Sequence, residues 1–277
     1  MLNFNGDLLV EENFQLSSKN RGFKYGDALF ETIKSTKTKV IFWEDHYFRL
    51  MSSMRMLRMK IPLKFTLEYL EQEILKTIST HNDATFYRVR LNIYRKDGGF
   101  YTPITNEVDF LIEVSTLNYQ TKSDYSIDLF KDFYNYSGLL STVKTTNRML
   151  NTLASIYAKE NGLDNCVLIN ENKGVVEVAN GNIFILTGNV IKTPALTEGC
   201  IKGIIRKKVI EIILKNSDYS IEETIISPFE IQKADEVFIT NAIIGVQPVT
   251  NYKKKIFGTY FSEKIQKSIQ ILEITTI

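Results

Sequence analysis

In TFYRVRLNIYR, residues 85–95, polar and apolar side chains alternate from Arg88 to Ile93. A period of two is that of a strand, with Val89, Leu91 and Ile93 on one face and Arg88, Arg90, Asn92 and Tyr94 on the other. The strand carries two guanidinium groups on a single face. The helical period lies close by. In EDHYFRLMSSMRMLRM, after Trp43, the residues Tyr47, Leu50, Met51, Met54 and Leu57 recur at steps of three and four and predict one buried stripe. PLKFTLEYLEQEILKTI predicts a second helix, capped at Thr66.

The polar stretch NYQTKSD, residues 118–124, reads as a connection between domains. It leaves a smaller domain over residues 1–117 and a larger one over residues 125–277, a size that fits two domains at roughly 150 residues each. In the larger domain LLSTV reads as a strand, followed by TTNRMLNTLASIYAKENG as a helix capped by Thr145 or Thr146 and ended by Gly162. NCVLI, GVVEVAN, NIFIL and VIKT read as strands, GIIRKKVIEIILKN as a helix beginning after Gly203, and DEVFIT as a strand running into NAIIGVQPV. Helices and strands mix without regular βαβ alternation, which predicts an α+β fold.

Lys and Arg number 34 against 32 Asp and Glu, so charge gives no case for nucleic acid or an anionic membrane, and a small-molecule substrate is expected. The amino terminus is acidic where an export signal is basic, and no apolar run approaches the roughly 18 residues of a membrane span. Two cysteines, Cys166 and Cys200, make neither a disulfide framework nor a CxxC pair, and the expected location is the cytoplasm. His46 and His81 form no zinc motif, and no metal site is expected. GxSxG, GxGxxG and GxxxxGK[ST] are all absent.

Four local features could carry chemistry. Lys144, in VKTTNRM, is either a surface lysine or an amine able to form a Schiff base with an aldehyde. Glu177 lies in an apolar strand, where a carboxylate either reaches solvent or needs a positive partner such as a protonated pyridine nitrogen. Arg49 either snorkels from a core helix or forks onto a phosphate. Ile204 and Ile205 open a helix whose first N–H groups suit an anion.

These features fall inside six motifs: RGFKYGDALFET from Arg21, HYFRL from His46, VKTTNR around Lys144, GVVEVANGNIF around Glu177, KTPALTEGCIKGIIR from Lys192 and DEVFITNAIIGVQPV from Asp235. In this order they resemble the class IV aminotransferases, the fold-type IV enzymes that use pyridoxal 5'-phosphate. The resemblance implies a two-domain fold like that of D-amino acid aminotransferase, with the active site between the domains, and a homodimer in which a neighbouring loop closes that site. It implies that Lys144 forms the Schiff base and shuttles the proton, and that Glu177 pairs with the pyridine nitrogen. Arg49, Ile204, Ile205 and Ala242 are then cofactor contacts. Phe30, Arg88, Arg90 and Tyr101 are the implied substrate contacts, with a strand-face ion pair as the other use of the two arginines.

Three branches of the family compete. The D-amino acid branch has an Arg-x-His trap where this chain reads RKDGGFYTP, and ranks last. Branched-chain enzymes place Tyr five residues after the lysine and Gly-Thr-Ala in the late loop, where Met149 and Asn241-Ala242-Ile243 stand here. Asn147-Arg148-Met149, Gly98-Gly99-Phe100-Tyr101 and Asn241-Ala242-Ile243 each resemble the lyase branch. The sequence therefore favours an aminodeoxychorismate lyase, releasing 4-aminobenzoate and pyruvate on the way to folate. A branched-chain or related amino-acid aminotransferase is the alternative. A catalytically inactive scaffold is a third reading, against which the retention of Lys144, Glu177 and Arg49 argues.

Overall fold

The computed structural model describes residues 1–215 and 218–275. They cluster into two compact units, Met1–Tyr119 with Lys144–Asn147, and Gln120–Val143 with Arg148–Ile277. Lys144, which the sequence reading placed in the C-terminal part, thus groups with the first unit.

The first unit comprises β1 (Leu2–Phe4), β2 (Asp7–Leu9), α1 (Arg21–Tyr25), β3 (Ala28–Ser35), α2 (Trp43–Met56), α3 (Leu67–Ile78), β4 (Tyr87–Arg95) and β5 (Val108–Thr116). Its sheet runs β2-β1-β5-β4-β3, antiparallel throughout. The alternation read from the sequence is that of β4: Val89, Leu91 and Ile93 are fully buried and Arg88 is exposed. Tyr94 departs from it, because it packs with Leu2, Ala28 and Leu111 in a separate small cluster. The stripe on α2 is buried at Leu50, Met51 and Met54, and Thr66 caps α3 by accepting from Tyr69 N at 3.1 Å. In register, Glu31 pairs with Leu91 and Phe30 with Asn92, so alternate residues of β3 divide between the two faces. Leu29, Glu31 and Ile33 share the buried face, and Glu31 bonds α2 there.

The second unit comprises β6 (Ser126–Leu129), α4 (Met149–Glu160), β7 (Asn165–Ile169), β8 (Val175–Val178), β9 (Asn182–Thr187), β10 (Val190–Pro194), α5 (Ile204–Leu214), β11 (Ser220–Thr224), α6 (Pro228–Lys233), β12 (Glu236–Asn241), β13 (Gly245–Val249), β14 (Asn251–Tyr252), β15 (Lys255–Ile256) and α7 (Tyr260–Thr275). One sheet runs β11-β10-β9-β12-β13 and the other β15-β14-β6-β7-β8. Both mix parallel and antiparallel pairs, as an α+β fold allows. A shared apolar cluster draws Ile127, Val167 and Val178 from one sheet and Ile183, Ile185, Val237 and Ile239 from the other. Glu236 starts α7, its carboxylate accepting from Phe261 N at 2.8 Å and Ser262 N at 2.9 Å.

Two local readings are corrected. Residues 139–143 are not a strand, since Leu139–Thr142 forms a 3-10 turn. The next helix starts at Met149, and neither Thr145 nor Thr146 caps it. Their backbone pairs with β3 instead: Thr145 bridges Leu29, and Thr146 N donates to Ala28 O at 3.0 Å. The helix read from Gly203 begins at Ile204 as expected, while Asn216 at the end of that reading lies outside the described residues. Among the described residues no helix is long and apolar enough to cross a membrane.

Candidate active site

In the first unit, Lys144 is held in extended backbone beside β3, its carbonyl accepting from Phe30 N at 3.0 Å. This is a firmer seat than the helix start expected from the sequence. The ammonium lies 4.3 Å from the centroid of the Phe30 ring, and the Arg90 guanidinium lies 4.1 Å from the same ring. Arg90 also donates through Nε to Asn92 Oδ1 at 3.0 Å. The structure thus brings together Lys144, Phe30 and Arg90. Arg88 stays exposed on the same strand. Tyr101 is exposed too, in a loop anchored by the buried Arg21, whose Nη1 donates to Gly98 O at 3.0 Å and Phe100 O at 2.6 Å.

On the buried face of β3, Arg49 joins a charged cluster whose other two members, Glu31 and His46, the sequence reading left unassigned. Glu31 is buried, and its carboxylate accepts from Arg49 Nε at 2.8 Å, from Arg49 Nη2, and from His46 Nδ1 at 2.7 Å. A carboxylate can only accept, so Nδ1 carries the imidazole proton. Burial pushes the Glu31 carboxyl up, but Arg49 and His46 together outweigh it and bring it down to about 2. Burial lowers His46 below its ordinary 6.5, with Arg49 and Lys144 adding to the shift and Glu31 opposing it. The signal for Glu31 was present in the sequence: it occupies an apolar-face position of β3, where an unpaired carboxylate is costly.

The sign of the resulting pH dependence follows from both shifts. Each group binds its proton more weakly in the folded chain than in the unfolded one, so each favours folding at higher pH. The His46 contribution is present above about 6.5 and is lost as the pH falls below it; that of Glu31 is lost between about 4.5 and 2. We expect the urea midpoint to fall as the pH drops from 7 to 5. His46→Gln should flatten that fall, and an unchanged slope would refute the role of His46.

In the second unit, Glu177 lies on β8, buried, with Oε2 accepting from Ile201 N at 3.0 Å. Asn182 on β9 grips the same segment by donating to Ile201 O at 2.8 Å. The segment leads into α5, where Gly203 provides no side chain to cap the first turn at Ile204 and Ile205. A Cβ on Gly203 would lie 2.0 Å from Asn182 Oδ1, so any side chain there would have to displace the amide that grips Ile201. Thr240, register partner of Asn182 on the neighbouring strand, is buried with a hydroxyl that has no protein partner among the described residues. Ala242 sits in a turn fixed by Asn241, whose Oδ1 accepts from Ile243 N and Ile244 N at 3.0 Å each. Burial pushes the thiols of Cys166 and Cys200 up to about 12, which leaves both protonated and poor nucleophiles.

This donor set fits pyridoxal phosphate. The uncapped start of α5, the glycine before it and the orphaned Thr240 hydroxyl suit a phosphate, and a buried carboxylate suits a protonated pyridine nitrogen.

Residues 28–252 match the class IV aminotransferase family, and the chain belongs to it. A protein of Methanocaldococcus jannaschii, provisionally named a branched-chain-amino-acid aminotransferase, is 27% identical over 96% of this chain and 92% of its own. The D-alanine aminotransferase of Bacillus licheniformis is 26% identical over 96% and 93%. The aminodeoxychorismate lyase of Vibrio harveyi is 25% identical over 83% and 85%. Among solved structures, the branched-chain aminotransferase of Thermoproteus uzoniensis with norvaline superimposes with a TM-score of 0.90, at 22% identity over 98% of this chain and 94% of that one. That of Thermobaculum terrenum was solved in its pyridoxal phosphate form, with a TM-score of 0.85 at 19% identity over 98% and 93%. The preference for the lyase branch is not upheld by these likenesses, which favour the aminotransferase alternative.

Proposed function

We propose that the protein is a pyridoxal phosphate enzyme that transfers the amino group of branched-chain or related apolar L-amino acids to a 2-oxo acid. The observation that carries the reading is the Phe30 ring with the Lys144 ammonium 4.3 Å and the Arg90 guanidinium 4.1 Å from its centroid. An amine, an apolar wall and a cation are what an apolar amino acid needs for reaction, side-chain burial and carboxylate binding. The relative named for branched-chain amino acids, aligned along nearly the whole chain, supports the same reading.

When bound, pyridoxal phosphate supplies an aldehyde for the substrate amine and an electron-withdrawing ring. Lys144 Nζ takes the proton from the substrate's α-carbon and returns one during the second half of the exchange. Glu177 keeps a proton on the ring nitrogen, with Ile201 N–H holding the carboxylate in place. Arg49 and the first-turn N–H groups of Ile204 and Ile205 bind the phosphate, and the Ala242 turn adds a backbone contact. Phe30 keeps water from the amine, while Arg90, or the exposed Arg88 two residues before it on the same face, receives the substrate carboxylate.

The lyase-like motifs have structural uses that reduce their weight. Asn147 Nδ2 donates to Gly26 O at 3.2 Å, and its side chain fills the space a Cβ at Gly26 would need. Arg148 donates to Val143 O at 2.7 Å, and Gly98 and Phe100 serve Arg21.

The test is the absorbance of the cofactor-loaded protein after adding one amino compound at a time. L-leucine should convert the cofactor to its pyridoxamine form within seconds, and D-alanine should do so far more slowly. Conversion by D-alanine alone, or by neither amino acid, would refute the proposal. We also propose the homodimer and the cytoplasmic location expected of this chain, which sedimentation and fractionation would test.

A further inference from the structure

Glu31 takes two donors of the Arg49 guanidinium at once, Nε at 2.8 Å to Oε1 and Nη2 to Oε2. The same carboxylate is held from α2 a second time by His46 Nδ1, at 2.7 Å to Oε2. His46 and Arg49 are three residues apart on α2 and therefore share its face. A planar guanidinium gripped along its Nε/Nη2 edge has both its plane and its rotation fixed, so its Nη1/Nη2 edge is presented in one direction. We propose that Glu31 is a positioning residue that, braced by His46, aims the outer edge of Arg49 at the phosphate of the cofactor. The inference rests on reading Arg49 as the phosphate ligand.

Charge and position make opposite predictions here, which gives the inference a definite sign. The Glu31 carboxylate already offsets the charge of Arg49, so on Coulomb's law alone removing it should tighten phosphate binding. If Glu31 acts by aiming the guanidinium, removing it should weaken binding.

The experiment titrates apo protein with pyridoxal phosphate and, in parallel, with pyridoxal, which lacks the phosphate. Proteins compared are the unaltered chain, Glu31→Gln, Arg49→Ala and the double variant, each with its melting temperature recorded. Glu31→Gln should weaken pyridoxal phosphate about tenfold, the loss of one charge-assisted hydrogen bond, and leave pyridoxal unchanged. In the Arg49→Ala background it should have no further effect. Tighter or unchanged binding of pyridoxal phosphate by Glu31→Gln, equal weakening of both ligands, or a full loss that persists without Arg49 would each overturn the inference. If Arg49→Ala leaves the preference for pyridoxal phosphate over pyridoxal untouched, the phosphate reading of Arg49 fails and this inference fails with it. Should Glu31→Gln not fold, His46→Gln takes its place, with a smaller loss confined to pyridoxal phosphate as the expected result and an equal loss of both ligands as the contrary one.

Discussion

Lys144→Ala is expected to lower turnover by at least about a thousandfold while leaving the fold intact. The first half of this expectation comes from the chemistry. A positioned general base contributes about 10² to 10⁴ in rate, and under the proposed function this lysine also supplies the amine that joins the cofactor aldehyde. The second half comes from the fold. Residue 144 is fixed through its backbone, by its carbonyl to Phe30 N, and alanine keeps that bond. Alanine gives up the contact of the ammonium with the Phe30 ring, of the order of 0.5–1 kcal/mol, which by itself is too little to unfold the unit. The check is borohydride reduction of the loaded protein followed by peptide mass spectrometry. The unaltered chain should carry the label on Lys144; a label on another lysine would show the assignment to be wrong.

Glu177→Gln should bind the cofactor and still lose about two to three orders of magnitude in turnover. One oxygen of Glu177 accepts from Ile201 N at 3.0 Å, a bond that the glutamine carbonyl can preserve, so the entry to α5 should keep its shape. What changes is the buried negative charge. Breaking a buried ion pair costs about 3–5 kcal/mol, and each 1.4 kcal/mol is a factor of ten, which sets the expected scale. Unchanged turnover would remove Glu177 from the ring nitrogen, and loss of cofactor affinity in proportion to turnover would make its role structural.

Local rules made much of this legible. The alternation of Val89, Leu91 and Ile93, the stripe of Leu50, Met51 and Met54, the cap at Thr66 and the helix start after Gly203 are short-range patterns, and the chain obeys each of them. The failures are tertiary. Thr145 and Thr146 have the side chains of helix caps, but pairing with Leu29 and Ala28 draws their backbone into an extended path and delays the helix to Met149. That same path seats Lys144, so the error and the site share one cause. The acid on the apolar face of β3 is visible in the sequence, but its partner His46 is not, because the pair joins a strand to a helix and neither segment shows it alone.

The lyase-like motifs carry less weight for a related reason. Asn147 and Arg148 both hold the chain's own backbone, and the carbonyls of the Gly98–Tyr101 loop are taken by the Arg21 guanidinium. Phe30 carries both Lys144 and Arg90 over its ring, and under the proposed function these are the residues that bear on the substrate; the meeting of Phe30 with Arg90 depends on the register of β3 against β4.

The central claim is that this chain transfers amino groups, and product analysis at steady state tests it most directly. Supplied with L-leucine and 2-oxoglutarate, the loaded enzyme should form 4-methyl-2-oxopentanoate and L-glutamate in equal amounts, with no product when the 2-oxo acid is left out beyond a single turnover. Release of 4-aminobenzoate and pyruvate from aminodeoxychorismate without any amino acceptor, together with no glutamate from leucine, would contradict the account and return the protein to the lyase branch.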